Sequence, residues 1–142
     1  MYESDLISLR AKKLLSLKPL NYSLQVLDIQ PFKHLLEREG ENFVRQHYTS
    51  LECSVTDTGE RRIQYLAGRM AAKKAIATVI NTNNKRLFFW LDIEILRLPT
   101  GQPSVVLLGR CQEIAAKLGI KQWLLSISHT ATCAVASAIA VV

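Results

Sequence analysis

"AGRMAAKKAIAT", residues 67–78, decides how this chain is read. It is rich in good helix formers and has no proline, so it predicts a helix, and the apolar spacing around it extends that helix over 61–80. At about 100° per residue, Ile63, Leu66, Ala67, Met70, Lys74, Ala77 and Thr78 share one face. Arg62, Arg69 and Lys73 fall on a second, basic face. Lys74 therefore stands near the centre of the apolar stripe. A buried ammonium without a partner is costly. Either the side chain snorkels past its neighbours to water, or the stripe faces a cleft or subunit boundary where the charge meets a carboxylate or phosphate. Asp28 follows the apolar run "LQVL" and is the candidate partner, because an aspartate at a strand end can point into a cleft.

Upstream of this helix, residues 1–20 mix leucines with Arg10, Lys12, Lys13 and Lys18, and read as a short amphipathic helix stopped before Pro19. "SLQVLDI" (23–29) has strand composition. "PFKHLLEREGENFVRQHY" (31–48) opens on a proline suited to a first helical turn and is broken by Gly40. Thr49 and Glu52 form a T-x-x-E pattern, the signature of a capping box. Residues 54–60 are turn-like.

Downstream, "NTNN" (81–84) is a polar loop. "LFFWLDIEILRL" (87–98) and "SVVLL" (104–108) flank the tight turn "PTGQP" and predict a hairpin. Residues 109–119 predict a helix with Cys111, Ile114 and Leu118 on one side and Gly119 as terminator. Two closing strands surround "SHT" (128–130). Helices interleaved with hairpin-linked strands predict an α+β fold with an antiparallel sheet.

The length fits one domain. No apolar run reaches the roughly 18 residues a membrane span needs, and "YESD" after Met1 does not open a secretory signal. Cys53, Cys111 and Cys133 fit no zinc or redox spacing, so a reduced, cytoplasmic protein is expected. The formal charge of +6 points to an acidic partner or a phosphorylated ligand. Nucleic acid is not expected, because the stripe Arg62, Arg69, Lys73 is short and lacks a stacking aromatic series.

Five stretches together resemble bacterial holo-acyl-carrier-protein synthases, the small 4′-phosphopantetheinyl transferases. "LDI" (27–29) resembles the family's first aspartate motif, and "TSLE" (49–52) its T-x-x-E segment. "YLAGRMAAKKA" (65–75) is similar to its L-A-G-R-F-A-A-K-E-A helix. "DIEILRLPTGQP" (92–103) resembles its strand and G-x-P turn, and "SISHTATCAVASAIA" (126–140) its closing S-I-S-H-T strands. The likeness covers roughly residues 22–142, which makes 21–142 the synthase-like domain and 1–20 an N-terminal extension. It implies a transferase fold with the antiparallel sheet against a long helix, and a homotrimer or a subunit of a larger assembly. The implied reaction moves phosphopantetheine from coenzyme A to a serine of an acyl carrier protein with magnesium, in the service of fatty acid biosynthesis. Arg69, Lys73, Gly101, Pro103, Ser128 and His129 stand at the positions expected to serve coenzyme A. His129 also has a plainer reading, as a turn histidine bonded to backbone.

The match departs where the chemistry sits. Asp28 supplies one of the two carboxylates of the family's metal site, but Lys74 occupies the glutamate position. Magnesium wants hard oxygen ligands, and an ammonium repels it. Thr78 stands at the position of a catalytic lysine and is not basic near neutral pH. Asn81, Thr82, Asn83 and Asn84 replace a glycine-rich loop, and His34 replaces a basic residue that grips the carrier. The expectation is a catalytically impaired or inactive relative that binds an acyl carrier protein or another acidic protein. In it, Lys74 would pair directly with Asp28. The alternative is an active transferase in which Lys74 contacts the pyrophosphate. Leu6, Leu9, Leu14 and Leu17 would dock a partner or pack on the domain itself.

Overall fold

Every second residue from Ala134 to Ala140 is alanine, and all four are fully buried. Because strand side chains alternate between faces, these alanines leave one side of a strand almost flat. A helix can lie close on such a surface, and the chain is built around that contact. The computed structural model describes residues 17–55, 57–81 and 90–142. Its elements run β1 (Pro19–Asp28), α1 (Ile29–Glu39), α2 (Glu41–His47), a single 3₁₀ turn (Glu52–Ser54) and α3 (Gly59–Ile80). There follow a second 3₁₀ turn (Trp90–Asp92), β2 (Ile93–Arg97), β3 (Pro103–Leu107), α4 (Gly109–Lys117), β4 (Gln122–His129) and β5 (Cys133–Val141).

The architecture is α+β, as expected, with the strands in two antiparallel groups. β1, β5 and β4 form a three-stranded sheet in that order, and β2 and β3 form a separate hairpin. The sheet's inner face packs on α3, whose Ala71, Ala72 and Ala75 are fully buried. Gly68 is the tightest point: a Cβ there would lie 3.0 Å from Cγ2 of Ile127 on β4. Two apolar clusters flank α3. One gathers Ile76, Ile93, Ile95 and Cys111. The other gathers Ile29, Phe32, Phe43, Val44, Tyr48 and Met70. Each fully buried isoleucine contributes about 1.5–3 kcal/mol relative to exposure.

This sandwiching corrects the single-stripe reading of the long helix. Residues 66–73 form an unbroken buried run, which a helix packed on one side does not show. Lys73, assigned to a basic face, has no exposed surface, and Arg69 keeps only 5%. Lys74, expected at the centre of the apolar stripe, is half-buried. Alanines carry too little hydrophobic contrast for periodicity to mark two faces at once.

Other differences are local. β1 starts at Pro19, where the N-terminal helix was expected to have stopped, and residues 17 and 18 before it are not helical. The rest of that helix, up to residue 16, and Leu6, Leu9 and Leu14 lie outside the described residues, as do Thr82, Asn83 and Asn84. Trp90–Asp92 is a helical turn rather than the middle of a strand. The hairpin itself forms as expected, Ile93 opposite Leu107 and Arg97 opposite Pro103. Its turn uses Gly101 at φ +90°, where a side chain would be strained. No helix among the described residues is long and apolar enough to cross a membrane.

Candidate functional site

Two cavities flank α3, and a buried ion pair stands between them. The larger, about 700 Å³, opens between the first turns of α3, the β2–β3 hairpin and the end of β4. Arg61, Tyr65, Gly68 and Arg69 reach it from α3, Arg97, Gly101 and Pro103 from the hairpin, and Ile127 and His129 from β4. Three arginines against a single carboxylate, Asp57, make it a cationic hollow.

Arg69 is its most informative residue. Its guanidinium carbon lies 4.5 Å from the centroid of the Tyr65 ring, a cation–π distance. Its Nε is buried and has no hydrogen-bond partner among the described residues. Burial lowers the guanidinium's pKa; Tyr65 opposes that shift, while the neighbouring Arg97 adds to it. An anionic oxygen is the acceptor best matched to a buried donor in a cavity already crowded with positive charge. Tyr65 is held in place by donating its hydroxyl to the Glu52 carbonyl at 2.8 Å.

Glu52 begins the second feature. Its backbone N–H donates to Thr49 Oγ1 at 3.3 Å, while Thr49 N–H donates to Glu52 Oε1 at 2.9 Å. This is the reciprocal capping expected of T-x-x-E, although it closes only one 3₁₀ turn. The same carboxylate then does more. Oε1 lies 2.5 Å from Lys73 Nζ, and Oε2 accepts from Ile95 N–H on β2 at 3.1 Å. Lys73 also donates to the carbonyls of His47, at 2.6 Å, and Trp90, at 3.1 Å. Burial lowers the Lys73 pKa, and Glu52 opposes that shift.

The second cavity, about 430 Å³, lies on the other side, between β1, α1, α2 and α3. Leu27, Phe32, Leu35, Phe43, Met70 and Trp90 give it apolar walls, and Asp28, His47 and Lys74 also line it. Asp28 is exposed at the N-cap of α1 and makes no capping bond with its side chain. The expected Asp28–Lys74 salt bridge does not form within the chain; the two charges share one cavity, and neither has an ion-pair partner among the described residues. Thr78 is exposed, donates its hydroxyl to the Lys74 carbonyl at 2.8 Å, and accepts from Gln25 at 3.4 Å. Among the described residues, no three His, Cys, Asp or Glu side chains gather as a metal site would require.

Comparison with known proteins gives this arrangement a family. A holo-[acyl-carrier-protein] synthase of Caldanaerobacter subterraneus is 37% identical over 116 residues, covering 82% of this chain and 90% of the relative. The chain belongs to the holo-acyl-carrier-protein synthase family. No protein-family model matches it. The crystal structure of a holo-ACP synthase from Plasmodium yoelii superposes with a TM-score of 0.76 at 26% identity, covering 89% of this chain and 97% of that one. An ACPS–CoA complex from Chronobacterium ammoniagenes superposes with a TM-score of 0.66 at 28% identity, covering 84% and 95%.

The residues that the resemblance to these synthases singled out divide between the two cavities. Arg69, Gly101, Pro103 and His129 meet in the large one. His129 ends β4, paired opposite Ala134, and is exposed. Asp28 and Lys74 meet in the small one. Lys73 reaches neither cavity. Ser128 is exposed and alternates with Ile127, so it lies on the outer face of the sheet. Arg61 and Arg97 in one cavity, and His47 and Trp90 in the other, were not singled out by sequence. Arg97 lies opposite Pro103, so the hairpin register puts it beside the turn, but its place in the cavity depends on α3 packing there.

Proposed function

We propose that this holo-acyl-carrier-protein synthase relative retains coenzyme A binding in the large cavity and has lost metal-dependent phosphopantetheinyl transfer. It would serve instead as a binding or scaffold subunit. The observation that carries this is Lys74, a cation with no ion-pair partner among the described residues, sharing a cavity with Asp28. The donor set there does not fit magnesium. One carboxylate faces one ammonium, and no second carboxylate stands with them among the described residues. Thr78, tied to a carbonyl and to Gln25, adds no base.

For coenzyme A the residues do fit. Arg69 has a buried unused donor, and Arg61 and Arg97 add charge for phosphate oxygens. Coenzyme A would supply the phosphates and the pantetheine arm, while Arg69, Gly101, Pro103 and His129 would hold and orient it. Ser128, outside this cavity in one chain, would belong to an interface.

The outer face of the sheet supports a trimer. Tyr22, Leu24 and Val26 of β1 are 75%, 62% and 61% exposed, and Leu124 of β4 is 49% exposed. Tyr22 and Leu124 both pair with Ile139 of β5, so they form one apolar row. An apolar surface of this kind marks an interaction site. Residues 1–20 would be an extension serving partner binding in a cytoplasmic protein. Because Lys18 bonds to Val142 and β1 starts at Pro19, removal of residues 1–16 is the cleaner deletion.

The deciding experiment incubates the protein with coenzyme A, magnesium and an apo acyl carrier protein, and weighs the carrier. No gain in carrier mass is expected, while coenzyme A binding is retained by calorimetry. Addition of one phosphopantetheine at a catalytic rate overturns the loss of transfer. The companion variant carries Lys74→Glu and Thr78→Lys together, and is expected to gain transfer activity.

A further inference from the structure

We propose that Glu52 is a positioning residue for the large cavity: buried behind it, Glu52 holds the two arginine-bearing walls together so that one ligand can be gripped by both. The inference rests on the reading of that cavity as the coenzyme A site. Glu52 has no exposed surface and is not among the residues that line the cavity. One wall is α3, with Tyr65 and Arg69; the other is the β2–β3 hairpin, with Arg97. Glu52 is bonded to each. Its carbonyl accepts the Tyr65 hydroxyl at 2.8 Å, and the Tyr65 ring carries the Arg69 guanidinium. Its Oε2 accepts the Ile95 N–H at 3.1 Å, on the same short strand as Arg97. The carboxylate cannot swing away, because Oε1 is held by Lys73 and by the Thr49 N–H.

The plainer reading of Glu52 is a capping residue. Capping needs only the Oε1 bond to the Thr49 N–H, and a cap on a single surface turn can stay in water. The Oε2 bond serves no cap; it reaches 43 residues along the chain to the hairpin. The walls it joins repel each other. Burial lowers the Arg69 pKa, Arg97 lowers it further, and Glu52 acts against both. Without Glu52, like charges on facing walls favour an open cavity. With it, the arginines are brought together before a ligand arrives. A ligand with phosphates for both walls then spends none of its binding energy on closing them, which is the gain of preorganisation.

Calorimetry of the full chain with two probes, 3′,5′-ADP and AMP, tests this, because they differ by one phosphate. A charge-assisted contact is worth roughly a factor of ten or more, so the natural chain is expected to bind 3′,5′-ADP at least about tenfold tighter than AMP. Glu52→Gln keeps the side-chain volume and removes the charge; it should cut that advantage to about threefold or less, with a smaller change for AMP. Arg97→Gln should cost 3′,5′-ADP affinity in the natural chain and little in the Glu52→Gln background, a coupling that a double-mutant cycle measures. Tyr65→Phe cuts only the bond to the α3 wall, keeps the ring under Arg69, and should narrow the advantage in the same direction; it carries the test if Glu52→Gln does not fold by circular dichroism. A parallel loss for both probes overturns the proposal and makes Glu52 a structural residue. An unchanged advantage in folded variants overturns it while leaving the coenzyme A site intact. No binding of either probe by the natural chain overturns both.

Discussion

Lys73 and Glu52 lie 2.5 Å apart with no exposed side-chain surface on either. The remaining Lys73 donors and both Glu52 oxygens join separate elements: the end of α2 and the Thr49 turn, the Trp90 turn, and β2. A buried pair of this kind adds little over an apolar substitute, yet breaking it leaves one charge stranded. Lys73→Met is therefore expected to lower unfolding free energy by about 3–5 kcal/mol. Glu52→Leu should cost a similar amount. The double variant should be more stable than either single one, because neither charge is then abandoned. Urea unfolding of all four proteins measures this, and additive losses would show that the pair does not act as a unit.

Tyr48 makes the fold sensitive to alkali. Its side chain is buried, and its hydroxyl donates to the Leu66 carbonyl at 2.6 Å. Burial, aided by Glu52, raises its pKa well above 10.0. The unfolded chain therefore loses this proton first as pH rises. Folded-state stability contributed by the neutral phenol is fully present below pH 10 and falls as pH climbs from there toward the raised value, by up to about 1.4 kcal/mol per pH unit. Tyr48→Phe removes the hydrogen bond, so it should be less stable at neutral pH. Its stability should fall less steeply above pH 10. Lys73, with a lowered pKa, pushes in the opposite direction in both proteins, so the difference between them isolates Tyr48. Parallel curves above pH 10 would refute the assignment.

Much of this was legible in the residues. The β2–β3 hairpin follows from β formers around "PTGQP", and the break between α1 and α2 from Gly40. The capping pair Thr49 and Glu52 was legible as local chemistry. Glu52's second role was not, because its partner lies 21 residues on and is found only when α3 is buried on two sides. The same two-sided burial exchanged the fates of Lys73 and Lys74. Neighbours on a helix differ by about 100° in direction, and an alanine-rich segment does not announce which direction is inside. The large cavity's residues were partly legible by family resemblance, as Arg69, Gly101, Pro103 and His129. Arg61 and Arg97 enter it only through the packing of α3 on the hairpin.

The outer sheet face offers a third test. Leu24 is 62% exposed on β1 and lies opposite Ser137 of β5, which pairs in turn with Ser126 of β4. Leu24→Glu places a charge in the middle of this surface. Exposed substitutions away from special features change stability by about 0.5 kcal/mol or less, so a monomer would tolerate it. A trimer buried through this face would not, because a desolvated unpaired carboxylate is costly. Sedimentation equilibrium is expected to show a trimer for the natural sequence and monomers for the variant. A monomer in both, or a trimer in both, rejects the sheet face as the interface.

Arg69 separates binding from stability. In the free protein its buried Nε lacks an acceptor among the described residues and its charge sits near Arg97, so it is a local cost to the fold that the Tyr65 contact only partly offsets. Arg69→Met keeps much of the side-chain volume and removes both the charge and the orphan donor. Stability should then be unchanged or higher by urea unfolding. Coenzyme A affinity should fall by about tenfold or more, since a charge-assisted hydrogen bond to phosphate is worth roughly 1.5–3 kcal/mol. Calorimetry with 3′,5′-ADP in place of coenzyme A should show the same loss if Arg69 serves the phosphates rather than the pantetheine arm. A variant that loses stability while binding coenzyme A normally would recast Arg69 as a structural residue, and the large cavity would need a different anchor.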